Sequence, residues 1–245
     1  MHTNDVALVT GANKGIGREI VRRLAERGLT VYLGARDPQR GRVAAEGLED
    51  VRSVRLDVTD PASVAAAVTR IEAETGRLDV LVNNAGVVVE WGVGIADLTA
   101  AHLREAYEVN VFGVVTVTAA CVPLLRRSPN PRIVNMSSGL ASLGLLGDLD
   151  SPFPTRDLPA YSSSKAALNA LTLIYAHALR ADGIKVNATS PGLVPTDGNA
   201  AASFPRGDRT PADGATVPVL LATIPADGPT GTFRGPDSLD QVIPW

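Results

Sequence analysis

Tyr161 and Lys165 stand four positions apart in the run Tyr161-Ser162-Ser163-Ser164-Lys165. Residues at that spacing share one face of a helix, so a phenol and an ammonium can reach one site. A free phenol ionises near about pH 10, too high for easy proton transfer at neutral pH. A neighbouring ammonium favours the phenolate and lowers that value. The pair alone is commonplace in helices that do no chemistry. Ser138 adds a neutral donor at the end of Asn135-Met136-Ser137-Ser138. A hydroxyl there can bond a carbonyl oxygen as negative charge develops on it. Asn110 lies inside a long helical stretch, where an amide has modest propensity. It could hold a water or a lysine, or it could be a buried amide bonded to backbone.

A second chemical feature is the turn Thr10-Gly11-Ala12-Asn13-Lys14-Gly15-Ile16-Gly17. It follows an apolar strand pattern and precedes a helical one. Glycines permit a tight turn and a close approach of backbone to a pyrophosphate. The helix start offers unpaired N–H groups and a positive dipole end. The spacing is G-x-x-x-G-x-G, and glycine also serves ordinary strand-to-helix turns. The next strand ends in Leu33-Gly34-Ala35-Arg36. Sites for NAD place an acid near this point to bond the ribose, whereas an arginine can pair with a 2′-phosphate. Lys14 and Arg36 therefore favour NADP(H). Both could also be solvated surface charges, and Asp37 would favour NAD if it faced the ribose.

These residues need a scaffold. Apolar runs at 6–10, 30–35, 51–56, 78–82, 132–136 and 184–190 read as strands. Helical periodicity marks 18–27, roughly 39–48, 62–74 behind Pro61, about 97–127, and 161–180. Pro123 is expected to kink or shorten the fourth of these helices. Strands apolar on both faces, alternating with helices, form a parallel sheet covered on both sides. The expectation is α/β, a Rossmann-like doubly wound fold in one domain over residues 1–245. The stretches 144–159, 192–211 and 225–245 break the rhythm with Pro, Gly and acidic residues. The first two follow the fifth and sixth strands and are expected to wall a substrate pocket.

Composition narrows the classes. The chain has 245 residues, 45% of them hydrophobic and 20% charged, as in ordinary globular proteins. A net charge of −3 gives no reason to expect nucleic acid or an anionic membrane as partner. Cys121 is the single cysteine, which excludes an intrachain disulfide and a cysteine-rich zinc site. No secretion signal or membrane-length apolar run is evident, so a cytoplasmic protein is expected. His2, His102 and His177 lack metal-ligand spacing. Trp91, Phe153 and Phe204 could line a pocket or pack beneath loops.

Taken together, the motifs resemble the short-chain dehydrogenase/reductase family in its single-domain branch. They are Thr10–Gly17, Asp57-Val58, Asn83-Asn84-Ala85-Gly86, Asn110, Ser138, Tyr161 with Lys165, and Pro191-Gly192 with Thr196. Asn13-Lys14, Ala35-Arg36-Asp37 and the ending through Gly228–Phe233 resemble the carbonyl-reductase-like members, which use NADPH. The resemblance implies that Gly11, Asn13, Gly15, Ile16 and Gly17 hold the pyrophosphate and ribose. It implies Asp57 and Val58 at the adenine, and Asn84, Ala85 and Gly86 beneath the ribose. Pro191, Gly192, Val194 and Thr196 would face the carboxamide and phosphates. Tyr161 would donate the proton, Ser138 would hold the carbonyl oxygen, Lys165 would bond the ribose and depress the tyrosine pKa, and Asn110 would anchor a water.

The expected reaction is NADPH-dependent reduction of a ketone or aldehyde, or the reverse. The expected partner is a small carbonyl or alcohol compound. A nucleotide-binding regulator of the same fold is the competing reading; it would lose Ser138, Tyr161 or Lys165, and all three are present. Epimerases and enoyl reductases of this fold are disfavoured by the Tyr161–Lys165 spacing and the short C-terminal part. Ser138 and Tyr161 are 23 positions apart, wider than in most of the family, with the extra residues in 144–159. That insertion leaves monomer and homo-oligomer undecided.

Overall fold

The computed structural model describes residues 5–148, 150, 157–196, 199–202 and 206–245. Much of the expected pocket loop 144–159, with Phe153, lies outside the described residues, as do parts of 192–211, with Phe204, and His2.

Strand β1 (Val6–Val9) is buried at every position, and its side chains alternate between two layers. Ala7 and Val9 pack towards Ile20, Leu24, Val217 and Leu221; Val6 and Leu8 pack towards Val64, Ile71, Val117 and Leu125. This period of two explains why the strand is apolar throughout. The first layer holds α1 (Gly15–Ala25) and a short late helix; the second holds α3 (Pro61–Thr75) and the later long helices.

The other strands are β2 (Thr30–Ala35), β3 (Val51–Arg55), β4 (Val80–Asn83), β5 (Arg132–Met136), β6 (Lys185–Thr189) and β7 (Phe233–Arg234). All neighbours are parallel, in the order β3-β2-β1-β4-β5-β6-β7. The order reverses between β1 and β4. A doubly wound sheet opens its ligand crevice at such a switch point, beyond the carboxyl ends of the strands. The doubly wound α/β expectation holds.

Several boundaries differ from expectation, each for a local reason. Helix α2 (Pro38–Ala45) starts on Asp37, which caps the Gln39 and Arg40 N–H groups, and ends where Glu46 turns to extended backbone. The expected helix 97–127 is three segments: α4 (Ala100–Tyr107), a π-helical stretch over Glu108–Gly113, and α5 (Val114–Leu125). The helix changes character at Asn110, in the π stretch, while Pro123 sits within α5. The run Ala100–Leu125 is long and apolar enough for a membrane span by length and composition alone. Half of its most apolar stretch is buried, as in a core helix.

Within 144–159 the chain first forms the short helix α6 (Leu143–Gly147), capped by the Ser142 hydroxyl. Helix α7 (Pro159–Ala178) follows. Beyond β6 come α8 (Pro211–Gly214) and α9 (Thr216–Ala222). The tail expected to be irregular supplies β7, whose Phe233 stacks on Trp245 with ring centroids 5.5 Å apart.

Candidate active site

The glycine turn lies at the switch point. Gly11 has φ +61°, a backbone region that favours glycine, and a Cβ there would stand 2.8 Å from the Ala85 Cα. A Cβ on Gly17 would collide with the Asn84 Nδ2 and stand 3.0 Å from the Gly11 carbonyl oxygen. The turn is clamped to the end of β4. Asn84 Nδ2 donates to the carbonyls of Thr10 (2.8 Å) and Gly11 (3.2 Å). The Thr10 hydroxyl oxygen accepts from the Asn84 and Ala85 N–H groups, each at 3.0 Å. Helix α1 has neither a side-chain cap nor an acid in its first turn, so its positive end faces the groove uncompensated by side chains. A backbone cradle that admits no Cβ, ending in such a helix start, fits a dinucleotide pyrophosphate.

The groove around this turn has a volume of about 560 Å³ and is lined by Gly11, Asn13, Lys14, Gly15, Ile16, Gly17, Arg36, Asp57, Val58, Asn84, Ala85, Gly86 and Thr196. The structure thus brings together residues expected from five separate segments. Asp57 accepts from the Thr59 N–H and hydroxyl, at 3.0 and 2.7 Å. Val58 is mostly buried against Gly113 and touches the groove with the remainder. Asp37 is bound to the start of α2, accepting from Gln39 N at 2.8 Å. Thr59 and Val109 also line the groove, without a motif to reveal them.

A second cleft of about 240 Å³ adjoins the first, sharing Ile16, Asn84, Gly86, Val87 and Thr196. Ser138, Tyr161 and Lys165 line it, together with Pro191, Gly192 and Val194. Its apolar wall is Val88, Trp91, Leu140, Leu158 and Leu193. Ser138 ends β5 and opens a 3₁₀ turn, its hydroxyl oxygen accepting from Leu140 N at 3.2 Å. The Ser138 hydroxyl and the Tyr161 phenol line this cleft together. Lys165 is 4% exposed, and its ammonium donates to the Met136 carbonyl at 2.7 Å. It lies 5.9 Å from the Tyr161 ring centroid.

Burial lowers the Lys165 pKa to about 8. Burial also raises the Tyr161 pKa; the neighbouring Ser138 hydroxyl lowers it, and the Glu90 charge raises it. The sequence reading expected Lys165 to lower this phenol. In the structure the lowering comes from Ser138 and is outweighed by burial.

Asn110 is fully buried in the π-helical stretch. Its Oδ1 accepts from Val87 N at 2.9 Å, and its Nδ2 donates to Val87 O at 2.9 Å and to Ser164 Oγ at 3.0 Å. The extra residue of a π turn, a frequent feature of functional sites, aims this amide at the loop after β4 and at α7. A buried polar ladder then ties α7 to the sheet. Asn83 Nδ2 donates to Asn135 Oδ1, and Asn135 Nδ2 to Thr172 Oγ1, both at 2.9 Å. Ser137 donates to Asn169 Oδ1 at 2.6 Å. Cys121 is a buried core residue whose thiol is pushed up to about 12 by burial, and His102 closes the capping box of α4.

The comparisons agree with this architecture. The family described as short chain dehydrogenase matches residues 5–204. (-)-Isopiperitenone reductase of Mentha piperita is 36% identical, with 93% of this chain and 95% of that protein covered. That alignment runs over 304 positions, more than the 245 residues here, so the relative carries internal stretches without a counterpart in this chain. Carbonyl reductase [NADPH] 1 of Bos taurus is 34% identical, covering 99% of each chain. The solved structure of 3-ketoacyl-(acyl-carrier-protein) reductase from Brucella melitensis, complexed with NADH, superposes with a TM-score of 0.82 at 26% identity, covering 95% of this chain and 96% of that one. The fold and the crevice define a nucleotide-binding α/β oxidoreductase. The chain belongs to the short-chain dehydrogenase/reductase family.

Proposed function

We propose that this protein reduces a ketone or aldehyde to an alcohol with NADPH, or runs the reverse oxidation. The observation that carries the reading is the convergence of Ser138, Tyr161 and Lys165 on one cleft that opens into the groove of the glycine turn. When bound, the dinucleotide supplies the hydride in reduction and accepts it in oxidation.

In this reading the α1 start and Gly11, Asn13, Gly15, Ile16 and Gly17 hold the pyrophosphate. Asp57 and Val58 bind the adenine end, Asn84, Ala85 and Gly86 support the ribose, and Pro191, Gly192, Val194 and Thr196 enclose the nicotinamide end. Lys14 and Arg36 pair with the 2′-phosphate. The engagement of Asp37 with the start of α2 supports NADPH over NADH, because that carboxylate is occupied away from a ribose. The name of the bovine relative, carbonyl reductase [NADPH] 1, supports the same choice.

Tyr161 gives its proton to the substrate oxygen in reduction. Its raised pKa keeps the phenol protonated for that task at neutral pH. The Ser138 hydroxyl donates to the same substrate oxygen as charge develops there. Lys165 binds the nicotinamide ribose. Asn110 positions the loop at Val87 through its amide. The apolar wall of Val88, Trp91, Leu140, Leu158 and Leu193 suits an uncharged organic carbonyl compound. The test is a panel of ketones and aldehydes read by loss of reduced-cofactor absorbance, with NADPH and NADH in parallel. The reading expects turnover with at least one uncharged carbonyl and a preference for NADPH. NADPH binding without turnover across the panel would instead favour a regulator of the same fold.

A further inference from the structure

Glu90 carries no motif, yet it is 1% exposed and stands beside the proposed proton donor. It lies in the loop after β4, five positions past Ala85. Its Oε1 accepts from the Tyr161 N–H at 2.6 Å and its Oε2 from the Val89 N–H at 3.1 Å. Tyr161 is the third residue of α7, whose own N-cap, Leu158, has no side chain able to cap. A helix start leaves its first N–H groups without partners, and a local Ser, Thr, Asp or Asn normally supplies one. Here the acceptor comes from 71 positions away in sequence. No ion pair to Glu90 occurs among the described residues, so backbone N–H groups and the helix end hold its charge. A neutral cap would do the structural work at lower cost, since a buried carboxylate without a cation is expensive.

We infer that Glu90 is a positioning residue for the reaction, fixing Tyr161 in the cleft by pinning the first turn of α7 to the loop that carries Asn84, Ala85 and Gly86. This inference rests on the reading of Tyr161 as proton donor. The charge adds a second effect. Among the described residues Ser138 from the end of β5 and Lys165 from α7 lie beside the Tyr161 side chain, and the Glu90 carboxylate lies at its backbone N–H. Glu90 is the one that disfavours the phenolate, so it biases Tyr161 towards the protonated form that reduction requires.

The test is an ultraviolet titration of phenolate absorbance in the intact protein, with Tyr161→Phe as the background that removes the other three tyrosines. Glu90→Gln keeps an acceptor for the Tyr161 N–H and removes the charge. Its Tyr161 midpoint is expected at lower pH than wild type, and the alkaline limb of the reduction rate is expected to move the same way. Coincident midpoints in folded wild type and Glu90→Gln overturn the charge effect, and wild-type kcat in folded Glu90→Ala, which removes the acceptor, overturns the positioning role. Should Glu90→Gln fail to fold, Glu90→Asp is read instead, because it retracts the carboxylate by one methylene. A smaller shift in the same direction, with kcat lowered and NADPH affinity unchanged, supports the inference; an unshifted midpoint overturns it. The titration needs no turnover. A shifted midpoint in a protein inactive on every carbonyl would sink the proposed reaction and leave standing only the effect of Glu90 on the phenol.

Discussion

The two ends of the crevice are built on opposite principles. At the glycine turn the backbone makes the site, and Gly11 and Gly17 have no room for a single added carbon. At the catalytic end side chains make it, and each residue is bonded elsewhere: buried Lys165 to Met136, half-buried Tyr161 to Glu90 through its N–H, and buried Asn110 to Val87. The first region is damaged by an atom too many, the second by a partner too few. A pyrophosphate presents the same oxygens in every dinucleotide, and fixed N–H groups suffice for it. Proton transfer depends on ionisation, which burial and neighbouring charges tune.

The largest effect expected from this contrast is on stability at the catalytic end. The pKa of Lys165 is lowered to about 8 in the fold, against its ordinary 10.5. Between those values the folded chain binds fewer protons than the unfolded chain, so stability rises with pH across that window. The penalty is fully present below it. Relative to Lys165→Met, the wild type should therefore gain up to about 3 kcal/mol between the two values. Denaturant unfolding of both proteins along a pH series checks this, and a constant difference would show that the ammonium is not desolvated.

A smaller effect is expected at the turn. Gly17→Ala should cost about 1–3 kcal/mol of stability through overpacking. It should also weaken NADPH binding by roughly tenfold or more, about 1.4 kcal/mol. Thermal melting and a fluorescence titration measure the two, and unchanged affinity would mean that the turn is not the cradle. The smallest effect falls at the rim. Arg36→Asp should cut NADPH affinity by about tenfold, in the range of one charge-assisted hydrogen bond, and leave NADH nearly untouched. Equal wild-type affinity for both dinucleotides would remove the proposed role of Lys14 and Arg36.

The same contrast decides what the sequence discloses. The Rossmann-like sheet was legible through β6, because buried parallel strands must be apolar on both faces. The glycine turn was legible because its geometry permits few residues. Tyr161 and Lys165 were legible from a spacing that fixes one helix face, and they do line one cleft. Glu90 was not, because a lone acid in a loop looks like any solvated charge until α7 docks onto it. The π-helical turn at Asn110 has no periodic signature, so the sequence showed a single helix there. Strand β7 consists of Phe233 and Arg234, too short to alternate, and it forms because β6 offers it an edge at Ala188 and Thr189. The expectation that 144–159 walls the substrate pocket can be followed only at its ends. Leu158 does line the cleft, and residues 149 and 151–156 of the span lie outside the described residues.

The proposal that Tyr161 supplies the proton is tested most directly by Tyr161→Phe, assayed with the best carbonyl substrate and titrated with NADPH in the same preparation. The hydroxyl is the only group removed, and it faces the cleft beside Ser138. Turnover should fall by about a hundredfold or more while NADPH affinity stays at the wild-type value. A variant that kept about a tenth of the wild-type rate would contradict the assignment, because general acid catalysis is worth roughly 10² or more.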